Sequence, residues 1–213
     1  RGRAPSLYTG DRPIRCLLMS GGEGSGNLQK YTERLLGQTN CELSVICGRN
    51  EKLKEALEWE FLPRYGGRLT VRGFVEDVAS VMAASDLVIA RGSPNTLMEA
   101  VVLAVPLIIT GCLPGQEADN PAMMVSHNLG VICESADALP SVVKALTGDS
   151  GRRLREIQAA QMAYRNLDNA ADIARVLYEA PPKKPSAGRR RNLLLFSGQK
   201  PVSRHPQRKR GLD

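Results

Sequence analysis

The sequence predicts an α/β fold, a Rossmann-like parallel sheet with helices on both faces. Three observations carry this. Short, continuous apolar runs alternate with segments of helical period between residues 14 and 135, which is the pattern of strands buried on both faces and joined by crossover helices. The first apolar run ends in four glycines within six residues, Gly21, Gly22, Gly24 and Gly26. The other polar, chemistry-bearing residues gather in segments that directly follow apolar runs. In a parallel sheet the ligand sits outside the carboxyl ends of the strands, so the loops at 20–27, 48–50, 72–75, 90–95 and 110–120 are the candidate site.

The elements follow in order. "IRCLLMS" (14–20) reads as a buried strand, and "NLQKYTERLLGQ" (27–38) places Leu28, Tyr31, Leu35 and Leu36 on one helical face. "ELSVICG" (42–48) is a second strand. "NEKLKEALEWEFLPRY" reads as a helix stopped by Pro63 and the pair Gly66–Gly67. "RLTVRGF" (68–74) is a third strand, "VEDVASVMAAS" (75–85) a helix, and "DLVIA" (86–90) a fourth strand. "PNTLMEAVVLA" (94–104) is a helix with proline in its first turn. "PLIIT" (106–110) is a fifth strand, "NPAMMVSHN" (120–128) a short helix and "LGVICES" (129–135) a sixth strand. "ALPSVVKALT" and the stretch from Arg152 to about Ala180 are further helices. The expected organisation is a linker at 1–13, a ligand-binding domain at 14–180 and a tail at 181–213.

Composition narrows the function. The net charge is +7, yet residues 181–213 carry ten Lys/Arg and one acid, so residues 1–180 are slightly acidic. The basicity belongs to a Pro-, Ser- and Gly-containing tail, expected to be disordered and open to anionic lipid. No specific nucleic-acid partner is expected, since nine aromatics and an acidic body offer no stacking groove. Five cysteines without a C-x-x-C pair, mostly inside apolar runs, read as buried structural thiols in a reducing compartment. No metal site and no cofactor are expected. No run of about 18 apolar residues is present to span a membrane.

The loops suggest a phosphate-bearing, hydroxyl-rich ligand. The glycines at 21–26 fit neither the P-loop, which needs Lys and Ser/Thr after its last glycine, nor the G-x-G-x-x-G fingerprint. They still free backbone N–H groups at a helix start, which favours an anion. "ARGSPNTLMEA" (90–100) is a second strand-to-helix turn. Asn95 and Thr96 offer donors to a phosphate, and Glu99 suits either the helix dipole or a sugar diol. "GCLPGQEADNP" (111–121) crowds Gln116, Glu117, Asp119 and Asn120 into five residues, amides and carboxylates able to meet many hydroxyls or to cap the next helix. Together these loops imply a sugar nucleotide.

"SGGEGSGN", "VICGRNEKL", "VRGFVEDV", "ARGSPNTLMEA" and "PGQEADNP" occur in that order. From about Ile14 to Ala180 the chain resembles the C-terminal domain of the monogalactosyldiacylglycerol synthase and processive diacylglycerol glucosyltransferase family. That family is of the two-domain GT-B type and is related to the bacterial glycosyltransferase of the peptidoglycan lipid-linked disaccharide. The resemblance implies a UDP-hexose donor, galactose favoured, inverting transfer to diacylglycerol and peripheral attachment at the cytoplasmic side of a membrane or at a plastid envelope. It implies that Gly22, Gly24 and Ser25 approach the diphosphate, with Asn95 and Thr96 in the second turn. Gly73, Phe74 and Val75 would hold the uracil, and Gly48, Arg49 and Asn50 would line the nucleotide. Glu99 would accept from the ribose, and Gln116, Glu117 and Asn120 would grip the hexose. The family commonly has a G-P-G turn where this chain has Ser93-Pro94-Asn95. The general base and the lipid acceptor site would lie in an N-terminal domain, so no catalytic residue is assigned. Of the two histidines, His127 reads as structural and His205 lies in the tail. An alternative is a non-catalytic nucleotide-sugar or partner-binding module with a membrane-docking tail.

Overall fold

The computed structural model describes residues 8–19 and 27–180. Six strands form one parallel sheet: β1 (Arg15–Met19), β2 (Glu42–Ile46), β3 (Leu69–Arg72), β4 (Leu87–Ala90), β5 (Leu107–Ile109) and β6 (Val131–Ile132). Their order is β3-β2-β1-β4-β5-β6. The chain thus winds outward from β1 in one direction, returns, and winds outward from β4 in the other. β1 and β4 pair in the middle, with Leu17 opposite Val88 and Met19 opposite Ala90. Their carboxyl ends diverge into loops that lead to opposite sides, and this switch point is where such sheets bind ligands.

β4 and β5 are apolar throughout because both faces are covered. All four residues of β4 and all three of β5 are buried. One face packs Leu18, Leu43, Val45 and Ile89 under α1 (Leu28–Gln38) and α2 (Glu51–Tyr65). The other packs Leu17, Val88, Leu107 and Ile109 under α3 (Val78–Ala83), α4 (Pro94–Leu103) and α5 (Asn120–Ser126). α6 (Leu139–Tyr164) closes the first unit. Its buried Gln158 and Gln161 donate to the carbonyls of Ala104, Val105 and Leu129 at 2.8–3.1 Å, so the amides reach backbone that helix and strand leave unpaired. Among the described residues no helix is long and apolar enough to cross a bilayer.

Three sequence expectations shift. α2 runs through Pro63 to Tyr65: proline sits in the last turn, and the chain leaves the helix only at Gly66, whose N–H still reaches Leu62 O at 2.9 Å. The third helix starts at Val78 rather than 75, because the Asp77 side chain accepts from Ser80 N at 2.9 Å and caps it there. The last shift concerns the helix from Arg152: α6 breaks at 148–151 as expected, where Asp149, Ser150 and Gly151 take positive φ, but it stops at Tyr164 instead of running on to about Ala180. The chain forms two compact units, divided between Ala170 and Ala171. The second begins within α7 (Asn169–Glu179), whose Ile173, Val176, Leu177 and Tyr178 are exposed.

Candidate functional site

Four of the five candidate loops are described along the carboxyl edge of the sheet. The fifth carries Gly22, Gly24 and Ser25, which lie outside the described residues.

After β2 the chain turns at Gly48, where φ is +61°. Asn50 then caps α2, its side chain accepting from Leu53 N at 3.0 Å. Arg49 is left exposed, and its guanidinium lies over the Phe74 ring, 5.1 Å from the centroid. Phe74 follows β3 and is 57% exposed, held by this cation–π contact rather than by the core. Val75 packs against the α3–α4 side of the core. Gly73 lies close to α2: a Cβ there would meet the Glu51 carboxylate at 2.9 Å. Residues 73–75 and Arg49 therefore form one corner, outside β2 and β3.

The loop after β4 starts α4. Ser93 is its N-cap, extended with φ −70°, and its Oγ donates to Thr96 Oγ1 at 3.0 Å. Neither Ser93 nor Asn95 needs positive φ, so this backbone does not require the two glycines of the related G-P-G turn. Pro94 removes an N–H that the first helical turn would leave unpaired. Asn95 and Glu99 are exposed one helical turn apart, and Thr96 is buried beneath them.

The loop after β5 is tied to the loop after β4. Gly92 N donates to Gly111 O at 2.7 Å, and the Asn120 amide donates to Gly92 O at 3.0 Å. The approach is close: a Cβ on Gly92 would meet Gly111 O at 3.3 Å and Cys112 Cβ at 3.5 Å. Glu117 points inward and is only 7% exposed. Its Oε2 accepts from Leu113 N at 2.7 Å and lies 3.6 Å from Arg91 Nε. Gln116 stays exposed. A cavity of about 180 Å3 lies between the ends of β1, β4 and β5, lined among others by Asn27, Tyr31, Arg91, Thr110 and Cys112.

Two wider hollows, about 480 and 600 Å3, open at the opposite, amino-terminal edge, around Arg15, Glu42 and Arg68 and around Asp11, Arg12 and Thr147. The buried acid beside them is already fully bonded. Asp86 accepts from both nitrogens of the Arg12 fork at 2.6 and 2.8 Å, from Arg15 N at 2.9 Å and from its guanidinium at 2.9 Å. Burial alone would raise the Asp86 carboxyl; the hydrogen bonds from Arg12 and Arg15 overcome it and hold it at about 2. His127 also lies at this edge, where α5 ends and the chain turns back into β6. It is exposed, its Nδ1 3.0 Å from Met123 O and its ring edge-on to Tyr164.

Reasoning from sequence did not single out Arg91, Gly92 or Tyr31. Arg91 had one legible signal, its place directly after the apolar run "DLVIA". A strand order that crosses over next to β1, with a helix-starting turn after β4 and an amide- and acid-rich turn after β5, defines a Rossmann-like domain with its switch point between β1 and β4. The chain belongs to the family described as the glycosyltransferase family 28 C-terminal domain, which matches residues 24–177. It is 32% identical over 174 residues to the probable monogalactosyldiacylglycerol synthase 3, chloroplastic, of Oryza sativa subsp. japonica, covering 76% of this chain and 33% of that protein. It is 28% identical over 181 residues to monogalactosyldiacylglycerol synthase 1, chloroplastic, of Arabidopsis thaliana, covering 80% and 33%. The chain thus spans about a third of the length of these relatives. Among solved structures it resembles Acinetobacter baumannii MurG (TM-score 0.65, 18% identity, 80% of this chain and 51% of that one). It also resembles S. aureus MnaA in its structure with UDP (TM-score 0.61, 16% identity, 79% and 46%). These likenesses confirm the fold expected from the sequence.

Proposed function

We propose that this chain is the donor half of a hexosyltransferase that moves a hexose, galactose in preference to glucose, from UDP-hexose to diacylglycerol. One observation carries the reading: the Asn120–Gly92 bond seats the amide- and acid-rich turn beside the turn that starts α4. A phosphate-bearing ligand and a hydroxyl-rich one thereby gain adjoining seats at the switch point. The curated relatives, named monogalactosyldiacylglycerol synthases, supply the choice of galactose and diacylglycerol.

In this reading Gly22, Gly24 and Ser25 give backbone donors to the diphosphate, with Asn95 and Thr96 opposite. Gly73, Phe74 and Val75 hold the uracil, with Arg49 beside the Phe74 ring. Glu99 accepts from the ribose diol. Gln116 reaches the hexose from the exposed side of its turn, and Glu117 and Asn120 support it from beneath. Transfer to a hydroxyl needs a base within hydrogen-bond reach of it. No residue described here is given that role; the base and the acceptor site belong to a separate domain. The relatives are named as chloroplastic, and attachment to a plastid envelope surface follows from a lipid acceptor.

Calorimetry on the 213-residue chain tests this. UDP should bind more tightly than UMP, because the helix-start N–H groups meet the second phosphate, and UDP-galactose should bind more tightly than UDP-glucose. Equal affinity for UMP and UDP would remove the diphosphate seat, and no binding of either would remove the reading.

A further inference from the structure

We infer that Arg91 is a positioning residue, one that sets the hexose-facing turn through Glu117. The inference rests on the donor-binding reading above and adds a residue and a mechanism to it.

Glu117 is a carboxylate placed almost entirely out of water. Such a group stays charged only when it is paired and hydrogen-bonded. Its Oε2 has two partners: Leu113 N at 2.7 Å, from its own turn, and Arg91 Nε at 3.6 Å, from the end of β4. The first bond folds the turn on itself. The second is the ion pair that joins the turn to the sheet, and its cation stands at the switch point, lining the cavity between β1, β4 and β5.

The 3.6 Å distance is informative. It holds an ion pair but exceeds a hydrogen bond. Arg91 Nε is buried and has no hydrogen-bond partner, an open donor aimed at an acceptor about half an ångström too far away. Groups in empty sites often stand slightly apart and tighten once the ligand is bound. A hexose that draws the 113–117 turn inward closes this gap, so the Arg91–Glu117 bond forms together with sugar binding. Without Arg91, Glu117 keeps one backbone donor, its charge is uncompensated, and the carboxylate turns outward with residues 113–117. The corner at 73–75 and Glu99 belongs to other elements and does not move. The loss therefore falls on the sugar and spares the nucleotide.

The test uses the 213-residue chain with Arg91→Gln, Arg91→Lys, Glu117→Gln and the Arg91→Gln/Glu117→Gln double variant, titrated with UDP and with UDP-galactose. Arg91→Gln should weaken UDP-galactose about tenfold and leave UDP within about twofold, as for one charge-assisted hydrogen bond lost. Arg91→Lys should restore part of the loss. In the Glu117→Gln background, Arg91→Gln should have no further effect, because residues that act through one contact are not additive. Equal losses for UDP and UDP-galactose, no loss for either, or additive effects in the double variant would overturn the inference. Should Arg91→Gln fail to fold, Arg91→Lys is judged by the same two-ligand comparison. An unsubstituted chain that binds neither ligand overturns the parent reading and this inference together; normal binding with equal losses overturns this inference alone.

Discussion

The two edges of the sheet use the same side chains to opposite ends. At the amino-terminal edge Asp86 is closed off by two arginines and a backbone N–H, and Arg68 donates to the carbonyls of Leu36, Thr39 and Cys41. Those groups have spent their hydrogen-bonding capacity inside the protein. At the carboxyl edge Arg49, Asn95, Glu99 and Gln116 are exposed, and Arg91 Nε is buried without an acceptor. Charge and hollow volume therefore do not by themselves mark a binding edge. The contrast lies in what named groups still offer: Asp86 and Arg68 are bonded inside the protein, whereas Arg91 Nε lines the small cavity with no hydrogen-bond partner.

The sharpest test of that contrast is Asp86→Ala. It removes a buried carboxylate from two arginines and should cost about 3 kcal/mol of stability, read by urea unfolding, while UDP affinity of the folded chain stays put. A matching loss of UDP affinity would show that the edges are not independent. Acid titration probes the same group. Its folded carboxyl, at about 2, lies below the ordinary value, so its contribution is complete above about pH 4 and is lost as the pH falls toward 2. The loss is about 2 kcal/mol, and Asp86→Asn should flatten that part of the stability curve.

On the carboxyl edge the effects should fall on ligands. Glu99→Ala should weaken UDP by about 2 kcal/mol, for two hydrogen bonds to a diol, with the melting temperature unchanged. A lower melting temperature with normal affinity would make Glu99 a helix-dipole residue. Gln116→Ala should cost about 1 kcal/mol with UDP-galactose and nothing with UDP. The smallest effect returns to the amino edge. Ala104 ends α4 at φ +53°, a left-handed conformation that glycine adopts without strain. Ala104→Gly should raise stability by about 0.5 kcal/mol in thermal unfolding and leave both ligands unaffected.

Local signals made much of this legible. The runs "CLLM", "LVIA" and "LII" are apolar throughout because both faces of the sheet are covered, and Pro94 marks a helix start by its missing N–H. The loops after β2, β3, β4 and β5 were recognisable as the carboxyl edge of the sheet from alternation alone. What escaped was long-range. Arg12 and Asp86 are 74 residues apart, and nothing near either shows that they meet. The sequence places Glu117 in a polar turn that would pass for solvated; only the fold buries it, against Leu113 N and Arg91.

Gly92 shows how far the two ligand loops are separable. Its N–H holds Gly111 and its carbonyl holds Asn120, and a Cβ there would press on Gly111 O and Ile109 at 3.3 Å. The seat given to the sugar is therefore not a detachable module. A swap of residues 111–120 with those of another glycosyltransferase, made to change the sugar it accepts, would carry its shape only if residues 91–93 travelled with it. Drift at either loop is constrained by the other, so new sugar preferences in this architecture are most accessible through positions such as Gln116, which lie outside that tie.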